Sequence, residues 1–229
     1  MTGLAAERRG ESGPPIVMVH GSLSSAAAAF AGQKALAGRF RIIAPYRRGC
    51  QPSPPAARID PGPRRRRRSR TPRRRRAPAR HVDGRMRAAA LAPDKVWSLT
   101  VAEPPALPNG SGRRGADRLA ALRDYWAADP ATFVAGFLRV LNVELPLPPP
   151  LLEAARNLMT ERPWETGVPA EALARTSFPK LVVTGGGTPG FEDVADALAE
   201  TLSAKRVLFP GSPHAVQRFN DEFLAHLGG

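Results

Sequence analysis

The chain predicts an α/β fold with a mostly parallel sheet and helices on both of its faces. Three stretches carry that prediction. Residues 16–19 are a short apolar, β-branched run that stops at His20-Gly21-Ser22. An alanine-rich segment follows, then a second apolar run at residues 41–44. Strand, glycine turn, helix and strand make a right-handed βαβ unit, whose loops at the carboxyl end of the sheet are where open α/β folds bind ligands. Further on, residues 181–184, 191–203 and 206–209 repeat the order strand, amphipathic helix, strand.

Taken in order, residues 4–9 leave room for one short strand. The helix after His20 begins at Ser24 or Ser25, either of which can N-cap it, and runs to about Ala37, with Gly38 as its stop. Phe30 and Leu36 are its expected core contacts. Residues 52–83 then break the pattern. They have no apolar period of 2 or 3.6, many prolines and almost no large apolar residue, a composition that predicts disorder. Residues 96–102 read as a strand ending at Glu103-Pro104-Pro105. Residues 116–176 give several helical pieces, with Pro130 and Pro169 suited to first-turn positions. Phe133, Phe137 and Leu141 recur at i, i+4 and i+8 as one apolar stripe, read as core packing.

Of 229 residues, 42% are hydrophobic, enough for a sizeable core, while 25 prolines and 21 glycines assign much of the chain to loops. The single cysteine, Cys50, makes no internal disulfide, which suits a reducing compartment. The N-terminal residues contain no apolar h-region, and no run of 18 apolar residues occurs, so no leader, no membrane span and a cytoplasmic location are expected. The net charge of +14 is local. Residues 61–87 hold 13 arginines against one aspartate and carry +12 of it, leaving +2 for everything else. Lysine is scarce, four against 30 arginines, which points to GC-rich coding rather than to selection for charge.

Gly185, Gly187 and Gly190 satisfy G-x-G-x-x-G between a strand and a helix. Context argues against a dinucleotide site there. Too little chain follows, the next strand ends in VLFPG without an acidic residue for a ribose, and Pro189 removes an N–H from the loop. No cofactor and no metal are expected.

In PPIVMVHG and IIAPYRRG the chain resembles the third and fourth strands of the α/β-hydrolase family, with Tyr46 where that family usually has an acidic residue. GRMRAAALAPDKVWSLTVAEPPAL is similar to the family's next helix and sixth strand, and GSPHAVQ to its histidine loop. The resemblance covers nearly all of the chain except residues 52–83. It implies a hydrolase core over residues 1–105 and 177–229, with a small helical cap over 106–176. It also implies a serine hydrolase acting on an ester-like or other small-molecule substrate. His214 would be the base, and the loop His20, Gly21, Ser22 and Leu23 the oxyanion and substrate-binding segment, its donor N–H near Ser22 or Leu23. The acid would be Glu103, which is preferred, or Glu192 or Asp193. Each reading has a plainer alternative: a strand-ending turn at His20, a surface histidine at 214, helix-start carboxylates at the rest.

One part of the family pattern is absent. No G-x-S-x-G occurs in the chain, and aligning Gly84 with the last glycine of such an elbow puts His81 in place of the serine. Residues 61–83 stand where the family has a helix, its fifth strand and the elbow. They read as a shifted frame of GC-rich DNA, and one back-translation within residues 79–83, moved by one base, gives Gly-Thr-Ser-Thr. Two readings compete with that one: a solvated charge run without a function, and a real arginine block that serves as a targeting signal or, on a non-catalytic scaffold, binds nucleic acid. The oligomeric state is not legible.

Overall fold

The structure is a computed structural model that describes residues 3–21, 23–47, 49–54, 84–121, 123, 129–140, 146–147, 149–161 and 167–211. Ser22, Leu141, His214, the closing segment FNDEFLAHL and all but the first three residues of the 52–83 block lie outside them.

Six strands form two three-stranded sheets among the described residues. In the first, β3 (Arg41–Pro45) lies between β1 (Ala6–Arg9) and β2 (Pro15–Val17). β1 runs antiparallel to β3, with Ala6 opposite Pro45, and β2 runs parallel to it, with Ile16 opposite Ile42. Alternation along β3 puts Ile42 and Ala44 on one buried face. Leu36 and Phe40 cover Ile42, and Ala26 and Phe30 cover Ala44.

Ala26, Phe30 and Leu36 come from the segment expected as one helix, which the structure divides. α1 (Ala26–Ala29) begins with Ser25 as N-cap, its Oγ accepting the Ala28 N–H at 3.3 Å. Residues Gly32–Gly38 then wind as a 3₁₀ helix. The four alanines of α1 offer no large side chain to anchor a longer α-helix, and Gly32 adds backbone entropy to any continuation. The anchors remain Phe30 and Leu36, as their positions predicted.

The second sheet is wholly parallel: β4 (Leu99–Ala102), β5 (Lys180–Thr184) and β6 (Lys205–Leu208), with β5 central. The central strand is almost entirely buried, which is why LVV appears there without polar alternation. On one face, Leu99, Val101 and Val182 meet Met86 and Ala89 of α2 (Gly84–Leu91), Leu119 of α3 (Arg114–Ala120), Leu173 of α6 (Ala170–Ala174) and Phe191, Val194 and Leu198 of α7 (Pro189–Leu202). Each large side chain buried there contributes about 1.5–3 kcal/mol. On the other face Leu181 and Val183 meet Phe209. Ser203, in the left-handed region at φ 50°, stops α7.

Gly190 has a packing role. A Cβ there would lie 2.8 Å from the Gly115 carbonyl oxygen and 2.8 Å from the Leu119 Cβ, so its absence lets α3 sit directly on α7. The third glycine of the G-x-G-x-x-G pattern is thus spent on a helix–helix contact.

α4 (Pro130–Val140) and α5 (Pro149–Glu161) pack through Val134, Leu138 and Ala155. Asp129 caps α4, its carboxylate accepting the Ala131 and Thr132 N–H groups at 2.9 and 3.1 Å and the Thr132 hydroxyl at 2.6 Å. Together these bonds hold the Asp129 carboxyl below its ordinary pKa, the Thr132 hydroxyl contributing most. Phe133 and Phe137 stack at 6.4 Å, and Phe137 packs against the main core cluster, so the described part of the predicted stripe is core.

Candidate active site

The residues with chemical potential follow directly on the ends of the parallel strands. β2 delivers His20 and Gly21, β4 delivers Glu103, β5 delivers Gly185 and Gly186, and β6 delivers Phe209. In each sheet these positions are at the carboxyl ends of the parallel strands, the side on which α/β folds place ligands.

Glu103 continues β4 by one bond, its N–H donating to the Val183 carbonyl at 3.0 Å. Its backbone then turns into the left-handed region at φ 46°. A non-glycine residue held there stores strain of order 1–3 kcal/mol, and such strain clusters at functional sites. The turn aims the side chain back over the sheet end, where it is only 8% exposed. Its Oε1 accepts the Gly185 N–H at 2.6 Å, a short charge-assisted bond that ties the end of β4 to the end of β5.

The other two acid candidates serve the scaffold. Glu192 accepts the Thr184 hydroxyl at 2.7 Å and the Gly186 N–H at 3.0 Å, and pairs with Arg206, which also holds Asp196 at 2.9 Å. This cluster fixes the β5–α7 turn against β6. Asp193 accepts the Gly115 and Ala116 N–H groups at 2.6 and 3.1 Å, capping α3 from another element. α3 has no side-chain cap of its own, since Arg113 stands at its N-cap. The capping role of Asp193 was not readable from sequence, because its partners lie 77 and 78 residues away.

His20 is 2% exposed. Its Nε2 accepts the Arg47 N–H at 3.3 Å and its Nδ1 lies 2.8 Å from the Gly21 carbonyl. A nitrogen that accepts a backbone N–H carries no proton, so this geometry assigns the proton to Nδ1, which donates to Gly21. The imidazole is thus a neutral clamp between the β2 and β3 loops. Leu23 packs against the Val134, Leu138 and Ala155 cluster of α4 and α5. At Tyr46, where an acidic residue was expected by resemblance, the hydroxyl donates to Glu7, and that bond raises the phenol's pKa above its usual range. Among the described residues no group of three His, Cys, Asp or Glu side chains could hold a metal ion. No described helix is long and apolar enough to cross a membrane.

This arrangement is that of the α/β-hydrolase fold, and solved structures agree. An α/β hydrolase from Sphaerobacter thermophilus DSM 20745 superposes with a TM-score of 0.58 at 23% identity, over 96% of each chain. An esterase from Exiguobacterium antarcticum gives 0.61 at 16% identity, over 99% of this chain and 96% of that one. A loop variant of a haloalkane dehalogenase from Bradyrhizobium elkanii gives 0.55 at 15% identity, over 98% and 91%. No protein-family model and no curated protein matches the chain. The particular reaction therefore rests on the site.

Proposed function

We propose that the chain carries the framework of a serine hydrolase for ester-like small molecules, with Glu103 as the acid, His214 as the base and backbone N–H groups near Ser22 and Leu23 as the oxyanion donors. The observation that carries this reading is the buried carboxylate of Glu103, held on strained backbone at the end of β4. Distance supports the pairing. β4 and β6 lie two strand spacings apart, roughly 10 Å. The five residues from Phe209 to His214 can reach up to about 17 Å. Of the residues 106–176 expected as a cap, α4 and α5 would form it, with Leu23 as their contact to the oxyanion loop, while α3 and α6 pack into the core of the sheet.

In the reaction so framed, a serine oxygen forms a bond to the ester carbonyl carbon while His214 takes its proton, and the negative oxygen is held by the loop N–H groups. The C–O bond to the alcohol breaks as His214 returns the proton to the leaving group. Water then hydrolyses the acyl-serine by the same route. Glu103 orients the imidazole and stabilises its protonated form.

The chain as written contains no G-x-S-x-G, and oxyanion and binding interactions alone retain about 10³–10⁴-fold acceleration over water. Purified protein should therefore hydrolyse p-nitrophenyl acetate weakly. It should also be inhibited by a trifluoromethyl ketone, whose hydrate mimics the oxyanion. No acceleration and no inhibition would remove the small-molecule reading.

The +12 on residues 61–87 favours a second reading, a nucleic-acid-binding arm on a hydrolase-like scaffold. It requires binding to a DNA duplex that weakens steeply with salt, since each neutralised phosphate releases counterion. Deletion of residues 61–80 should abolish that binding. Salt-insensitive binding, or binding that survives the deletion, rejects it.

A further inference from the structure

The end of the second sheet opposite Glu103 is formed by three turns: α2 to β4 (residues 92–98), α6 to β5 (175–179) and α7 to β6 (203–204). Register sets them side by side. Leu99 pairs with Lys180 and Leu181 with Lys205, and neighbouring strands lie about 4.8 Å apart. Two large apolar side chains face solvent at the first turn. Leu91, the last residue of α2, is 85% exposed, and Trp97, two residues before β4, is 74% exposed. Backbone bonds fix the bend between them: the Ala92 N–H donates to the Ala88 carbonyl and the Val96 N–H to the Pro93 carbonyl, each at 3.1 Å. Val96 packs on the core cluster, which sends the next side chain, Trp97, outward. Pro179, in the neighbouring turn, is exposed as well, and its carbonyl accepts the Leu99 N–H at 3.0 Å.

The charge around this apolar pair has one sign. Lys95, Arg175, Lys180 and Lys205 lie in or directly after the three turns, and Asp94 is the one acid among the described residues of these turns. Glu200, on the last turn of α7, is held by Arg113 at 2.8 Å. Lysine is the informative type. The chain has only four, and three of them stand on this edge, a placement that a coding bias toward arginine does not produce. Lys180 is anchored there, donating to the Thr176 and Phe178 carbonyls at 2.8 and 3.2 Å.

We propose that this edge docks on an anionic lipid surface, with Trp97 and Leu91 entering the headgroup region and the lysines and Arg175 meeting lipid phosphates. Indole is favoured at a membrane–water boundary, and each cation near an anionic leaflet adds attraction that salt screens. Such binding lies on the membrane and needs no spanning helix. Two exposed side chains offer too little area for a stable protein partner, which takes about 1,000 Å². A nucleic acid would take up the charge but leave Leu91 in water. Four residues of β4, about 13 Å, separate this edge from the Glu103 turn, so the docked protein turns its carboxyl strand ends to the aqueous side. Docking in this way holds whatever reaction the opposite end performs.

The test is binding of the full-length chain to phosphatidylglycerol vesicles with brominated acyl chains, read by sedimentation and by tryptophan quenching. The chain should bind these vesicles, not pure phosphatidylcholine, and its fluorescence should be quenched. Trp97→Ser should lose that quenching, and Trp97→Ser with Leu91→Ser should weaken binding at least about tenfold. Lys95→Gln with Lys205→Gln should weaken it by about tenfold or more and flatten its salt dependence. Both apolar positions are exposed, so the serine variants should keep the parent's urea midpoint; a lowered midpoint would give these side chains to the fold and overturn the proposal. Quenching separates this face from the arginine block of residues 61–87, since a block that binds by charge alone leaves the indole at 97 unquenched. Binding without quenching at Trp97, or binding that survives both serine substitutions, overturns the proposal. A DNA duplex that displaces the vesicles, and whose own binding is lost with the two lysines, assigns the face to nucleic acid and overturns it too.

Discussion

Glu103 offers a reversal of the usual order of glycine and alanine. At φ 46° a residue with a Cβ is strained by about 1–2 kcal/mol relative to glycine. The carboxylate also satisfies the Gly185 N–H at 2.6 Å, and leaving such a buried donor without its partner costs about 1–3 kcal/mol. Glu103→Ala loses the bond and keeps the strain, so it should destabilise by about 1–3 kcal/mol. Glu103→Gly loses the same bond but relieves the strain, against about 0.5–1 kcal/mol of added backbone entropy in the unfolded chain. Glycine should therefore be more stable than alanine by roughly 0.5–1 kcal/mol, opposite to their order within regular helix or strand. Glu103→Gln keeps an acceptor oxygen in place and should stay within about 1 kcal/mol of the parent. Urea titration at constant m reads these differences directly. In a chain of this length they correspond to about 2–4 °C in Tm per kcal/mol. An alanine variant as stable as the glycine variant would refute the strain argument. A glutamine variant as unstable as alanine would show that charge, not the hydrogen bond, holds the β4 and β5 ends together.

Three more outcomes follow from the packing and capping. Gly190→Ala places a methyl 2.8 Å from the Gly115 carbonyl and should cost about 1–3 kcal/mol, seen as a lower urea midpoint; an unchanged midpoint would mean that α3 is loosely docked. Asp193→Ala strips the caps from Gly115 and Ala116 and should cost about 1.5–3 kcal/mol, while hydrogen exchange speeds up in α3 before it does in β5. Asp129 has its folded pKa lowered, so its contribution to stability is present above its ordinary 3.8 and is lost as pH falls through the folded value. An NMR titration of its carboxyl should give a midpoint below 3.8 that moves upward in Thr132→Val, and a midpoint unmoved by that change would discard the hydroxyl as its cause.

The strands were legible because apolar, β-branched runs bounded by glycine and proline have few other uses. Residues 41–44 and 181–184 were placed to within a residue at either end. The first helix was misjudged in kind, because alanine propensity favours an α-helix while the anchoring side chains Phe30 and Leu36 are better met by a short α-turn followed by a 3₁₀ stretch. The acid was left open among Glu103, Glu192 and Asp193 for a different reason. Sequence shows three carboxylates near strand or helix ends, but not that Arg206 and Thr184 engage one and the first turn of α3 another. The proposed base and the residue at the oxyanion turn, His214 and Ser22, lie outside the described residues, so their roles rest on resemblance and reach.

The borrowed cap on α3 has a kinetic meaning. Seven residues are too few for a helix that persists alone in water, and this one has no capping side chain of its own. Its first-turn N–H groups find their acceptor only when α7 arrives, 77 and 78 residues further along the chain. α3 should consequently form late, after the β5–α7–β6 unit has condensed. Mutations at the Asp193 contact should then speed unfolding and leave the folding rate nearly unchanged, with φ-values near zero.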